Sequence, residues 1–225
     1  MTDLRLILFD VDGTLVDSQR SILAAMQEAF AAQDRPTPPR AEVLDIVGLS
    51  LERAMAQLAP DASEAEITLL STLYKQSYHR NRVARGAAVE APLYPGARAA
   101  LDRLAARDTH LLGVATGKSR RGLEAVIDAH GLTRHFLTRQ VADDHPSKPN
   151  PSMILAAMDE MGVTPAQTVM IGDTSYDMDM ARAAGVGRIA VSWGYHPPHR
   201  LQADHVIDNF DALDAALDQI WKDRA

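Results

Sequence analysis

Short apolar segments alternate with amphipathic helical segments over most of this chain, and the alternation excludes most fold classes. The apolar segments cover residues 4–9, 110–115, 168–171 and 188–192. Each is bounded by Gly, Asp, Thr or Ser, as is typical of buried parallel strands. Helical periodicity occurs in residues 98–106, 120–130, 151–161, 176–184 and 210–221. This order predicts an α/β fold with a Rossmann-like, doubly wound parallel sheet.

One long segment, residues 16–92, has helical periodicity but no strand pattern. Ser63 and Glu66 have the spacing of a capping box, which marks the start of one of its helices. We therefore predict an all-helical insert over residues 16–92. The remaining segments, residues 1–15 and 93–225, are expected to form the α/β core domain.

The composition narrows the classes of function. Hydrophobic residues make up 46% and charged residues 24% of the chain, values typical of a globular rather than a disordered protein. The absence of cysteine excludes thiolate metal sites and cysteine nucleophiles. A net charge of −7 without a Lys/Arg block argues against nucleic acid as a partner. The sequence contains no signal peptide or membrane-spanning run, so we expect a cytoplasmic monomer or small homo-oligomer without a membrane partner.

Acidic residues follow two of the predicted strands. Asp10 and Asp12 come directly after the first strand, and Asp173 and Asp177 follow the strand at 168–171. Because ligands bind outside the carboxyl ends of strands in an open parallel sheet, these carboxylates should share one edge. They would repel one another without a cation, and carboxylate oxygens suit Mg²⁺ better than a softer metal. The pattern predicts a magnesium site.

The same edge collects groups that can bind an anion. Thr116, Gly117 and Lys118 follow the second predicted strand, where a hydroxyl and backbone N–H groups lie near a helix start. Lys148 lies in a Ser-Lys-Pro-Asn-Pro loop that two prolines stiffen. Carboxylates, Mg²⁺, a hydroxyl and an ammonium in one crevice indicate phosphoryl transfer. The pattern leaves open whether Lys118 points toward this crevice or toward solvent.

Together these motifs resemble the four motifs of the haloacid dehalogenase superfamily. They are D-x-D-G-T at 10–14, Thr-Gly at 116–117, a lysine before proline at 148, and G-D-x-x-x-D at 172–177. The helical insert resembles the C1 cap of subfamily IA. Further similarity to the phosphoglycolate phosphatase-like branch lies in residues 15–18, 94–96, 148–151, 172–174 and 191–195. The resemblance implies a phosphatase with a core and a helical cap domain.

The resemblance also implies catalytic roles. Asp10 would be the nucleophile that forms an aspartyl-phosphate, and Asp12 the general acid and base. Thr116, Gly117 and Lys148 would hold the phosphoryl oxygens. The expected substrate is a small phosphorylated metabolite, with 2-phosphoglycolate as the first candidate.

The implied cofactor is Mg²⁺. Asp10, the main-chain carbonyl of Asp12 and Asp173 would bind it, with Asp177 as a further ligand or as a support for the others. Four arginines of the insert are candidate partners for a substrate carboxylate, namely Arg53, Arg80, Arg82 and Arg85.

Other functions remain open at this point. A β-phosphoglucomutase-like phosphomutase or an inorganic pyrophosphatase of the same superfamily would share the core motifs. A dehalogenase is disfavoured because it would not normally retain a carboxyl group at Asp12. Non-enzymatic alternatives are a phospho-receiver-like module, which would be shorter and lack the insert, and a pseudo-enzyme, which would require a broken motif.

Overall fold

The computed structural model describes residues 4–224; residues 1–3 and Ala225, which belong to the predicted core segments, lie outside the described residues. Six parallel strands form one sheet in the order β3-β2-β1-β4-β5-β6. The strands are β1 Arg5–Phe9, β2 His110–Thr116, β3 Thr138–Val141, β4 Thr168–Gly172, β5 Gly187–Val191 and β6 His205–Ile207. The predicted parallel α/β fold is confirmed. The strand order reverses at β1, so a crevice opens there beyond the carboxyl ends of β1, β2 and β4.

The central strand β1 is buried on both faces of the sheet. Ile7 and Phe9 pack into one apolar cluster, and Leu6 and Leu8 into another on the opposite face. All four side chains are fully buried. A strand covered on both faces has no polar side, which is why its sequence is a continuous apolar run.

Helices cover both faces of this sheet. Those of the core are α6 Ala97–Ala105, α7 Arg120–Ala129, α8 Ser152–Met161, α9 Ser175–Ala184 and α10 Leu213–Asp223. Apolar side chains of α6, α7 and α10 pack on the Ile7 face, and those of α8 and α9 on the Leu6 face. The predicted helices agree with these to within about a turn, except that residues 210–212 form a 3₁₀ turn before α10.

Five helices and the loops between them form the segment between β1 and α6. They are α1 Gln19–Ala31, α2 Arg40–Asp45, α3 Leu51–Leu58, α4 Glu64–Arg85 and α5 Ala87–Glu90. The capping box at the start of α4 is confirmed: the Ser63 N–H donates to Glu66 Oε2 at 2.8 Å, and the Glu66 N–H donates to Ser63 Oγ. Residues 16–92 contain no β-strand, only an isolated bridge from Val16 to each of Asp12 and Leu93.

This helical segment has its own apolar cluster and also contacts the core. Met26, Met55 and Leu70 are among its buried members, and Tyr176 and Tyr195 of the core pack against them. The predicted division into a core and a cap domain stays a prediction. Among the described residues, no helix is both long and apolar enough to cross a membrane.

Candidate active site

Lys148 joins two acidic residues at the carboxyl ends of β1 and β4. Its Nζ donates to Asp10 Oδ1 at 2.9 Å and to Asp177 Oδ1 at 2.6 Å. All three residues are buried. Burial alone would lower the pKa of Lys148, but the charges of Asp10 and Asp177 outweigh it and raise that pKa above its usual value. The ammonium is therefore a permanent positive charge within this cluster.

Asp173 lies beside Asp10 and Asp177, and two hydrogen bonds hold its carboxylate in place. Thr14 Oγ1 donates to its Oδ1 at 2.9 Å, and the Tyr195 N–H donates to its Oδ2 at 2.8 Å. Gly13 has a φ of +85°, and a Cβ at that position would lie 2.2 Å from Asp173 Oδ2. A side chain at Gly13 would therefore displace Asp173 and also strain the turn after β1.

Three carboxylates form a group that could hold a metal ion. One oxygen from each of Asp10, Asp173 and Asp177 lies within 4.8 Å of the others. The Oδ2 of Asp10 is buried without a hydrogen-bond partner. Lys148 supplies one positive charge against three carboxylates, so a divalent cation fits the remaining charge and the unpartnered oxygen. The Asp12 side chain lies outside this group, which leaves its main-chain carbonyl as the ligand implied by the family resemblance.

Burial first, and then the excess of negative charge, raise the pKa values of two of these carboxyls. Burial raises the pKa of Asp10 to about 6; Lys148 acts in the opposite direction, and Asp177 adds to the increase. Burial, followed by the charges of Asp177 and Asp10, raises the pKa of Asp173 well above its usual value. Ionised carboxylates packed this closely without solvent require a cation to compensate them.

Asp12 interacts with a different lysine. Lys118 Nζ donates to both carboxylate oxygens of Asp12, at 2.7 and 2.8 Å, and Ser18 Oγ donates to Oδ1. Lys118 Nζ also lies 5.2 Å from the centre of the Tyr78 ring on α4. Only 9% of the Lys118 side chain is exposed, so Lys118 points into the site and not toward solvent. Tyr195, whose OH lies 3.2 Å from Ser18 Oγ, completes this network.

Thr116 and Gly117 lie at the end of β2, where the helical segment approaches the core. Thr116 is buried, and its Oγ1 accepts a hydrogen bond from the Lys118 N–H at 3.3 Å. A Cβ on Gly117 would lie 2.5 Å from the carbonyl oxygen of Gly48 and 2.8 Å from that of Leu49. Gly117 therefore allows two backbone segments to approach closely, in addition to lining the site.

A cavity of about 250 Å³ lies against part of this site. Asp10, Asp12 and Thr116 line it from the core, and Gly48 and Leu49 line it from the helical segment. The structure thus brings together the motif residues that the sequence indicated for this site, whereas Arg53, Arg80 and Arg85 do not line the cavity. Sequence reasoning missed Ser18, Tyr195, His79 and Arg121; the first two lie in segments that resemble the phosphoglycolate phosphatase-like branch, whereas nothing in the sequence singles out the other two.

Known proteins match both the sequence and the fold of this chain. The model of the family described as "Haloacid dehalogenase-like hydrolase" matches residues 7–191. A protein of Dickeya dadantii named "Probable phosphatase IndB" is 34% identical, over 96% of this chain and 95% of its own length. A phosphoglycolate phosphatase of Mesorhizobium japonicum is 31% identical, over 94% of each chain. The crystal structure of a hydrolase from Pseudomonas syringae superposes with a TM-score of 0.84 and 25% identity, covering 96% of this chain and 99% of that one.

The chain therefore belongs to the haloacid dehalogenase-like hydrolases. Its relatives named as phosphatases match it over almost the whole length, and its site has the buried carboxylates and lysine described above. The protein is a phosphatase of this family.

Proposed function

We propose that the protein is a Mg²⁺-dependent phosphomonoester hydrolase in which Asp10 is the nucleophile. The observation that carries this proposal is the Oδ2 of Asp10, a buried carboxylate oxygen without a hydrogen-bond partner. Lys148 holds the other oxygen of the same carboxylate at 2.9 Å. One oxygen is thus held by Lys148, whereas the other has no protein partner among the described residues and is open to the cation and to the phosphoryl group.

The reaction takes place in two displacements at phosphorus. In the first, an oxygen of Asp10 bonds to phosphorus, the ester P–O bond breaks, and Asp12 protonates the leaving oxygen. In the second, Asp12 removes a proton from water, the water oxygen bonds to phosphorus, and the bond between phosphorus and the Asp10 oxygen breaks, which releases inorganic phosphate and restores the carboxylate. Lys148, the Thr116 hydroxyl and the Gly117 N–H hold the phosphoryl oxygens.

Mg²⁺, when bound by Asp10, Asp173 and the main-chain carbonyl of Asp12, supplies positive charge that offsets the charge developing on the phosphoryl group. Asp177 has a supporting position in this arrangement. Its Oδ1 accepts from Lys148, and its Oδ2 accepts from Thr174 Oγ1 at 2.7 Å at the start of α9. Asp177 therefore orients Lys148 by linking it to a helix terminus.

The helical segment acts as a cap domain over residues 16–92, on a core of residues 1–15 and 93–225. Because Gly48 and Leu49 form part of the cavity wall, the cap contacts the substrate and limits the access of water. The substrate is a small phosphorylated metabolite of the cytoplasm. We place 2-phosphoglycolate first among candidates because relatives about 30% identical carry the name phosphoglycolate phosphatase.

The experiment is a phosphate-release assay on 2-phosphoglycolate, pyrophosphate and hexose phosphates, with Mg²⁺ or with EDTA. We expect turnover that requires Mg²⁺ and that Asp10→Asn reduces by at least about a thousandfold, as expected for loss of a nucleophile. Asp179→Asn is the matched control, because Asp179 is an exposed carboxylate of α9 that pairs with Arg182.

Three results would contradict the proposal. Full activity in EDTA would remove the metal requirement, and substantial activity in Asp10→Asn would remove the nucleophile. Conversion of a hexose phosphate into its isomer, without release of phosphate, would identify a phosphomutase instead.

A further inference from the structure

Three basic side chains meet where α4 of the helical segment faces α7 of the core. Arg82 Nη2 lies 3.1 Å from His79 Nδ1, and Arg121 Nη2 lies 2.8 Å from His79 Nε2. All three residues line the same cavity as Asp10 and Asp12. They form a basic cluster, His79/Arg82/Arg121, that neither the sequence motifs nor the hydrolysis mechanism uses.

Among the described residues, no carboxylate pairs with this cluster. Within residues 4–224, neither Arg82 nor Arg121 forms an ion pair, although Arg82 lies between two paired arginines of the same segment. Arg80 pairs with Glu28 at 2.7 Å, and Arg85 pairs with Glu90 at 2.7 Å. The sequence offered four arginines of the insert as partners for a substrate carboxylate, and among them only Arg82 lines the cavity.

The hydrogen bonds within the cluster are incomplete as well. A guanidinium can only donate, and a neutral imidazole can accept at one of its two ring nitrogens. Since Arg82 approaches Nδ1 and Arg121 approaches both ring nitrogens of His79, the cluster has more donors than acceptors. Desolvation and the charges of the two guanidiniums lower the pKa of His79, which favours the neutral imidazole. Arg121 is exposed, so its remaining donors face solvent, and an added anion would offer them charged acceptors in place of water.

The other cations that line the cavity already have acidic partners. Lys75 pairs with Glu52 at 3.1 Å on the surface, and Lys118 pairs with Asp12 at 2.7 Å. Asp143, a further acidic residue of the cavity wall, accepts from the Arg120 N–H at 2.8 Å. The unbalanced positive charge of the cavity therefore lies at the basic cluster, away from the buried carboxylates.

We propose that His79, Arg82 and Arg121 bind a second anionic group of the substrate, either a carboxylate or a phosphate. The preferred substrates are then phosphate esters with two anionic ends, one held at Asp10 and Lys148 and the other at the basic cluster. Guanidinium groups suit both anions because they donate paired hydrogen bonds to them. This inference rests on the proposed phosphatase function, since it places the ester phosphate at Asp10.

The second anion would also connect the two parts of the chain. His79 and Arg82 belong to α4 of the helical segment, whereas Arg121 belongs to α7 of the core. An anion between them replaces repulsion between two guanidiniums with attraction to both. A substrate with two anionic ends therefore stabilises the contact between α4 and α7, and a substrate with one does not.

The test compares kcat/KM within pairs of substrates that differ in the second anion. Suitable pairs are 2-phosphoglycolate with ethyl phosphate, 3-phosphoglycerate with glycerol 3-phosphate, and fructose 1,6-bisphosphate with fructose 6-phosphate. We expect the wild-type protein to prefer the member with two anionic groups in at least one pair. Arg82→Gln and Arg121→Gln should each reduce that preference by about 10–100-fold, as expected for loss of a charge-assisted hydrogen bond.

Arg80→Gln is the matched control. Arg80 belongs to the same helix, but it pairs with Glu28 and does not line the cavity. It should leave the preference unchanged. The carboxylate and bisphosphate pairs distinguish the two kinds of second anion. An unchanged preference in Arg82→Gln and Arg121→Gln, or an equal loss in Arg80→Gln, would overturn the inference.

A binding measurement separates failure of this inference from failure of the proposed function. Calorimetric titration with phosphonoacetate, which has two anionic ends and no ester bond, needs no turnover. We expect Arg82→Gln and Arg121→Gln to weaken its binding about tenfold or more relative to Arg80→Gln. Such weakening without release of phosphate from any ester would support the anion site and reject the hydrolase. Phosphate release with equal phosphonoacetate binding in all variants would support the hydrolase and reject the anion site.

Discussion

Lys118 holds both carboxylate oxygens of Asp12, at 2.7 and 2.8 Å, in a setting where less than a tenth of the lysine side chain is exposed. The Tyr78 ring of α4 lies over the same ammonium. One lysine thus connects the proposed general acid and base to the helical segment. We interpret Lys118 as a residue that positions Asp12 and that also contacts α4 through the Tyr78 ring.

Replacing Lys118 with Met should lower kcat more than it changes KM. The variant keeps the length of the side chain but removes both hydrogen bonds that orient Asp12, and we expect a decrease in kcat of about 10–100-fold. Steady-state kinetics with the best phosphate ester provide the measurement. Lys222→Met, at an exposed lysine near the end of α10, serves as the control. An unchanged kcat in Lys118→Met would show that Asp12 needs no positioning by this lysine.

Replacing Gly117 with Ala should lower activity by displacing the loop of the helical segment that contacts Gly117. The new methyl group would lie 2.5–2.8 Å from the carbonyl oxygens of Gly48 and Leu49, so the loop that carries them must move away. We expect kcat/KM to fall by about tenfold or more, since small displacements in a site have large effects. Gly131→Ala is the control because a Cβ at that position would have no atom within 4 Å, although its φ of +60° disfavours alanine. Equal kinetics in both variants would argue against the close approach.

The effect of Asp173→Asn on Tm should change sign when Mg²⁺ is added. Without metal, Asp173→Asn relieves repulsion among three buried carboxylates, so its Tm should exceed that of the wild-type protein in EDTA. With Mg²⁺, the wild-type protein gains stability from binding, and the variant gains much less. Thermal unfolding with and without Mg²⁺ measures both effects. If Mg²⁺ raised the Tm of both proteins equally, Asp173 would not be a metal ligand.

The capping box of α4 should contribute to the stability of the fold. Ser63→Ala removes the acceptor for the Glu66 N–H and should lower the free energy of unfolding by about 0.5–2 kcal/mol. Urea unfolding gives this value. Thr72→Ala, at an exposed position of the same helix, should have little effect because alanine is the better helix former. A similar loss in both variants would show that the cap contributes nothing specific.

The inner strands and the acidic residues could be predicted because their sequence reflects a local requirement. Strands β1 and β4 are covered on both faces, so they are apolar apart from their first residues, Arg5 and Thr168, and each leads directly to an acidic residue at the edge of the sheet. The edge strands β3 and β6 were missed. Strand β3 includes Arg139 and Gln140, and β6 has only three residues, so neither has a recognisable apolar run.

The partners of the site residues could not be predicted in the same way. The direction of Lys118 depends on Asp12 and on Tyr78, which are 106 and 40 positions away along the chain. His79 and Arg121 meet only because α4 lies over α7. Sequence spacing describes neighbours on one helix or strand, and it carries no information about contacts between elements that are distant in sequence.

The most direct test is to locate the phosphorylated residue during turnover. The protein is mixed with a phosphate ester and Mg²⁺, quenched rapidly in acid, and treated with borohydride, which reduces an acyl phosphate on aspartate to homoserine. Peptide mass spectrometry should then find homoserine at position 10 only when substrate is present, and not in Asp10→Asn. Homoserine at another aspartate, or turnover with unmodified Asp10 at every quench time, would contradict the role of Asp10 as nucleophile.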